Sequence, residues 1–293
     1  MRKSNLSTLN RNLASLIKPC KVFIFSTLLL TAASFQQPLS DEEIYQRKIQ
    51  MAQGSNMHDY TLNIAKSFLN RPYKASTLEN PNEEKLVVNL REFDCSTFVE
   101  SCVAMGLTYR KNDISFEKFQ YYLKRLRYYN KGQIKGYESR IHYFSDWIYT
   151  HNKDGLLEDI TSSLGGVPLR KEINFMSSHW DKNPNVANVS LQEKIKKVEN
   201  KISNQDFYYV PKAKIRSIED KIMNGDIIGI TTNIDGLDIT HEGFAIRLQD
   251  KRVYLLHASS EFKRVMVSDR PLAEYMAPKK NQTGMMVARF KLE

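Results

Sequence analysis

The chain is poor in the residues that mark several large functional classes. Of 293 residues, only 3 are cysteine, 2 tryptophan, 9 proline and 12 glycine. The few glycines form no phosphate-cradling loop, and no zinc-finger spacing or aromatic-plus-basic RNA-binding motif occurs. No compact ligand pair such as C-x-x-C or H-x-x-x-H is present, so a zinc site lacks its usual signature. There is no Pro/Gly/Ser-rich linker and no internal repeat, which argues for one domain. Long apolar runs are also scarce. The one near the N-terminus, Val22-Phe23-Ile24-Phe25-Ser26-Thr27-Leu28-Leu29-Leu30, is shorter than the roughly 20 residues a bilayer span needs.

That run has a specific setting. Arg2, Lys3, Arg11, Lys18 and Lys21 precede it without an acidic partner, and Thr31-Ala32-Ala33-Ser34 follows. Residues 1–34 therefore read as a secretory signal peptide, and 35–293 as a single exported domain with no membrane span after cleavage. No cysteine follows the run, so a lipid-modified N-terminus is not supported. Formal charge is +10, but without those five residues 38 basic face 33 acidic side chains. So mild a surplus suits an acidic polymer or membrane surface and is too weak to argue for nucleic acid.

Apolar periodicity places helices first. Leu39 to Leu69 reads as helix with Ser40-Asp41-Glu42-Glu43 as an acidic first turn, and Asn70-Arg71-Pro72-Tyr73 breaks it. Lys85 to Leu90 reads as a short strand. After Asp94-Cys95-Ser96-Thr97, the residues Phe98, Val99, Cys102, Val103 and Gly106 recur at helical steps, with Asp94 as N-cap. Ser115 to Tyr129 is a further helix whose Lys124, Arg125 and Arg127 read as a solvated face. Ser145 reads as the N-cap of a short helix ending near Gly155. Residues 166–180 read as strand and loop, and Leu191 to Ile202 as a surface helix. From Phe207 on, apolar runs at 226–230, 242–248, 252–257, 263–267 and 284–292 alternate with turns, as in an antiparallel meander. The fold class is α+β.

Cys95 then stands out. Seven helical residues separate it from Cys102 by roughly 10 Å, beyond the roughly 7 Å limit for disulfide Cα atoms. Cys102 lies on the apolar stripe. Cys95 is left as a free thiol at a helix start, where unpaired N–H groups and the helix dipole favour a thiolate. His241 opens one strand of the meander and His257 closes the next, so one hairpin can bring both imidazoles together. A thiol, an imidazole and a polar group orienting that imidazole make up nucleophilic catalysis. On the residues alone two other readings stay open: hydrogen-bonded structural histidines, and a zinc site from Cys95, His241 and His257.

Four stretches carry a family resemblance: Asp94-Cys95-Ser96-Thr97-Phe98-Val99-Glu100, Gly225-Asp226-Ile227-Ile228, Thr240-His241-Glu242-Gly243-Phe244-Ala245 and Leu256-His257-Ala258-Ser259-Ser260. Together they resemble the NlpC-like branch of papain-like cysteine hydrolases, which act on bacterial cell-wall peptides. Arg71-Pro72-Tyr73, Glu84 to Leu90 and Ser139 to Trp147 are similar to one subgroup, the N-acetylmuramoyl-L-alanine amidases. The resemblance spans about residues 60 to 290. It implies a papain-like fold, with the nucleophile's helix packed on the sheet. It makes Cys95 the nucleophile, His241 the general base and acid, His257 the group orienting His241, and Tyr73 an oxyanion-side residue beside the nucleophile. Asp94, Ser96, Arg140, Tyr143, Asp146, Trp147 and Asp238 become substrate-pocket candidates, although Arg140 and Asp146 also read as a structural salt bridge. Glu242 departs from the family's small apolar residue after the base, and an acid there is expected to raise the imidazole pKa. The implied substrate is peptidoglycan or its muropeptide fragments, including anhydro-muramoyl ones, in the periplasm, with neither metal nor organic cofactor. The rivals are a D-glutamyl–diamino-acid endopeptidase and a catalytically silent wall-binding module.

Overall fold

Helix starts in this chain are fixed by side chains that take up the first free N–H groups. The computed structural model describes residues 37–79, 83–110, 113–180 and 188–291; the expected signal peptide lies outside them. Ser40 and Glu43 form a reciprocal capping box at the head of α1 (Asp41–Met51). Asn56 accepts from the Asp59 N–H at the head of α2 (Met57–Ser67). Asp94 accepts from the Thr97 N–H at 2.8 Å to start α3 (Cys95–Arg110), as its sequence predicts. Ser115 caps α4 (Phe116–Arg127). The single helix expected over Leu39–Leu69 is two. Ala52 is extended and ends α1, and Gly54 then lies so close to Tyr60 that a Cβ would stand 2.4 Å from its backbone nitrogen.

A short turn, α5 (Tyr129–Gly132), leads to α6 (Phe144–Lys153). The N-cap of α6 is Tyr143 rather than Ser145. Ser145 is the second helical residue, and its N–H is taken by Asp238 Oδ2 at 2.7 Å, from 93 residues away. Two short strands follow, β1 (Leu157–Asp159) and β2 (Val167–Pro168), then α7 (Val189–Ser203) and β3 (Tyr208–Pro211). A 3-10 stretch, Lys212–Lys221, precedes β4 (Ile227–Thr232), β5 (Ile239–Arg247), β6 (Val253–Ser259) and β7 (Arg264–Val267). The last elements are α8 (Leu272–Met276) and β8 (Gln282–Phe290).

The sheet is antiparallel in the order β2-β3-β8-β4-β5-β6-β7, with β1 also paired to β8. The meander β4 to β7 follows the sequence pattern, and β8 returns to close its inner edge beside β4. Both faces are covered, which is why the strands read as unbroken apolar runs rather than alternating ones. Ile227, Phe244 and Leu256 pack with the helices against Phe98 and Phe119, whereas Ile228, Ala245 and Leu255 pack with Ile215, Leu272 and Met276. Residues 39–293 make up one compact unit. No helix among the described residues is long and apolar enough to cross a membrane.

Three local expectations are corrected. Residues 85–90 form no strand, because distant side chains take their backbone groups. Arg127 Nη1 donates to Val87 O at 2.6 Å, and Leu90 N donates to Asp41 Oδ1 at 2.8 Å. Arg127 is no solvated residue either: it is buried, with Nε 2.8 Å from Glu100 Oε2. Finally, α7 buries Ile195, Glu199 and Ile202 along one side.

Candidate active site

Cys95 is the first residue of α3, and the chain on both sides of it is fixed by backbone bonds. Phe93 N donates to Pro72 O at 3.0 Å and Lys74 N to Phe93 O at 2.8 Å, which bridges Tyr73 to Phe93. Asp94 caps the helix directly before the thiol. The Tyr73 phenol is pushed up by burial and then by the neighbouring Cys95 and Asp94, so it shares their electrostatic surroundings.

Packing against β5 brings the segment of His241 to that of Cys95. Phe98 meets Phe244 edge-on at 5.8 Å, and Ser96 Oγ donates to Glu242 Oε1 at 2.5 Å. Ser96 directly follows Cys95, and Glu242 directly follows His241. Between these contacts His241 turns to β6, where its Nε2 lies 2.5 Å from His257 Nδ1. Gly243 makes room for this pair, since a Cβ there would stand 2.9 Å from His257 Cβ. No hydrogen bond joins the Cys95 thiol to His241. The polar groups that favour the Cys95 thiolate are instead the Glu242 backbone and the Ser96 side chain. Bonds between a nucleophile and its base commonly tighten only when substrate is bound.

The electrostatics differ from the sequence expectation at both groups. Burial pushes the Cys95 thiol up to about 12, with Glu242 and Asp94 adding to the rise. The helix start does not prevail, because desolvation and two carboxylates oppose the thiolate. His241 is lowered to about 3, by burial, by His257 and by Lys279. His257 is lowered to about 4, by burial and Lys279. Glu242 does not raise the imidazole. It is itself pushed up to about 8, chiefly by burial and then by Glu100, Asp94 and Asp238. The resting site thus holds a thiol and neutral imidazoles.

The other candidates sort by their partners. Tyr143 and Trp147 line a small cavity of about 40 Å³ together with Ser96, Glu100, His142 and Glu242. The Tyr143 hydroxyl is engaged: it donates to Glu199 Oε1 at 2.6 Å and accepts from Met176 N at 2.9 Å. Trp147 is buried and stacks on Phe144. Arg140 and Asp146 do not pair. Arg140 binds Glu84 at 2.7 Å and Glu79 at 3.1 Å, whereas Asp146 accepts from Tyr129. Asp238 is buried as the cap of α6. Five of the seven pocket candidates, Asp94, Arg140, Tyr143, Asp146 and Asp238, therefore have their polar groups engaged in holding the fold.

Sequence reasoning missed Glu100, Glu199 and Lys279, whose importance arises from partners distant in the chain. Glu242 left a trace as an acid where an apolar residue was expected. Among the described residues no three His, Cys, Asp or Glu side chains are grouped to hold a metal ion.

This architecture is shared with solved proteins. A crystal structure of an N-acetylmuramoyl-L-alanine amidase from Bacteroides uniformis superimposes with a TM-score of 0.76 at 38% identity, covering 80% of this chain and 99% of that one. A structure from Bacteroides fragilis described as a putative xylanase gives 0.72 at 37% identity, covering 77% and 99%. A Legionella pneumophila protein shares the fold at 23% identity, with a TM-score of 0.66 over 86% and 94% of the chains. No curated protein matches. Residues 63–285 match the family described as AmiA-like, N-acetylmuramoyl-L-alanine amidase-like, and the chain belongs to that family.

Proposed function

We propose that the protein is a cysteine-dependent N-acetylmuramoyl-L-alanine amidase of NlpC-like, papain-like type, exported to act on peptidoglycan or its muropeptide fragments. The observation carrying this reading is the 2.5 Å bond between Ser96 and Glu242, which joins the residues that follow the thiol and the imidazole. The family and the 38% identical B. uniformis amidase supply the substrate class.

With Nε2 of His241 committed to His257, Nδ1 is the nitrogen left to act as base. That role fixes the tautomer: Nε2–H donates to His257 Nδ1, and Nδ1 carries the lone pair. Because thiol and imidazole are both neutral at rest, the proton passes from sulfur to Nδ1 as sulfur attacks the lactyl carbonyl carbon. In this reading the Cys95 backbone N–H and the Tyr73 hydroxyl supply the hydrogen bonds to the oxyanion. Nδ1–H then protonates the amide nitrogen, the C–N bond breaks and the stem peptide leaves with a free alanine amine. Water, losing its proton to Nδ1, hydrolyses the thioester and restores the thiol.

Purified muropeptides, with and without an anhydro-muramoyl end, incubated with wild type and Cys95→Ala and read by mass spectrometry, test this. Wild type is expected to release stem peptide with N-terminal alanine, and the variant none. A shortened peptide still attached to sugar would establish the endopeptidase instead. Binding with no product from either protein would establish the silent module.

A further inference from the structure

We propose that Glu242 is a positioning residue of this active site. In its protonated form it ties the nucleophile's helix to the base's strand through Ser96, and on ionising it sets an anion against the thiol. The inference rests on Cys95 being the nucleophile.

The geometry comes first. The Glu242 side chain is buried at 5% exposure, yet it reaches the hydroxyl of the residue next to Cys95. Its main chain and its carboxyl both act on the thiol, the first favouring and the second opposing the thiolate. The carboxyl also borders the cavity of about 40 Å³, room for about one water molecule. The groups facing it are mostly acidic. Asp94 comes from the loop before α3, Glu100 from α3 and Asp238 from the turn before β5. Arg127 on α4 is spent on Glu100. His142 and Tyr143, ahead of α6, complete the wall, and burial holds His142 neutral. Burial, with Glu100, Asp94 and Asp238 adding to it, keeps Glu242 protonated to about pH 8. Below that pH it is a neutral hydrogen-bonding link. Above it, its charge is among the causes that disfavour the Cys95 thiolate.

The test is iodoacetamide alkylation of Cys95, located by peptide mass mapping, in wild type, Glu242→Gln and Glu242→Val between pH 6 and pH 9. This readout does not depend on which bond the enzyme cuts, so it stays interpretable if the amidase reading fails. The rate in Glu242→Gln relative to wild type should be near one at pH 6. It should rise to about tenfold at pH 9, the effect of removing a like charge that displaces the thiol by one unit. Glu242→Val, which suits a buried strand, should show the same pH-dependent ratio and guards against a glutamine variant that fails to fold. It should also lose kcat/KM at pH 6 by about tenfold through misplacement, a loss that glutamine, able to bond Ser96, in large part restores. An alkylation ratio independent of pH, or equal losses in the two variants, overturns the proposal.

Discussion

At the scale of single residues, the surroundings of His241 and His257 favour the neutral ring. Burial lowers both, and the Lys279 ammonium lowers both further. A base is lost when it takes up a proton, so the acid limb of kcat/KM follows these lowered values and not the usual one near 6.5. Activity should hold level from pH 7 to pH 5 and fall only below that. Lys279→Met should move the limb upward. A limb centred between 6 and 7 in the wild type would contradict a neutral pair. That Cys95 opens a helix and that one hairpin joins His241 to His257 was legible from short local motifs. Their ionisation was not, since it depends on Lys279, Glu242 and desolvation, none of which the spacing reports. Arg140 and Asp146 illustrate the same limit. Both looked like pocket residues, and each is satisfied by a partner in another segment, Glu84 and Tyr129 respectively.

Between elements, buried ion pairs and close approaches hold α3 in place. The guanidinium of Arg127 on α4 is 2% exposed and pairs with Glu100 on α3. Arg127→Met would leave that carboxylate buried without its cation, and should cost about 3–5 kcal/mol in urea unfolding. Combining it with Glu100→Gln should recover part of the loss. The periodicity of α4 predicted its start and extent, but its basic run concealed a buried arginine, because a charge at a helical step looks the same whether it faces water or a buried acid. Gly243 sets the distance between β5 and β6, since a Cβ would stand 2.6 Å from Leu256 O. Gly243→Ala should therefore destabilise by about 1–3 kcal/mol. It should also lower kcat/KM more than that instability explains, by disturbing His241 against His257.

For the molecule as a whole, stability comes from two apolar layers on either side of one sheet, with no covalent cross-link between Cys95 and Cys102. Cys95 and Cys102 are both free. The thermal midpoint should accordingly be the same with and without a reducing agent, and a drop on reduction would reveal a disulfide at odds with this structure. The α+β order of elements was readable from the change of period along the chain. The place of β8 was not, because apolar content marks a strand as buried without naming its neighbours. That place governs assembly. With β8 between β3 and β4, the meander and the β2–β3 ladder have no direct strand contact and meet only across residues 282–290. A growing chain can pair β4 through β7 early, yet its sheet stays in two pieces until the ninth decade past residue 200 has been made. The two pieces are therefore joined into one sheet only once β8 is present, whatever order the other strands pair in.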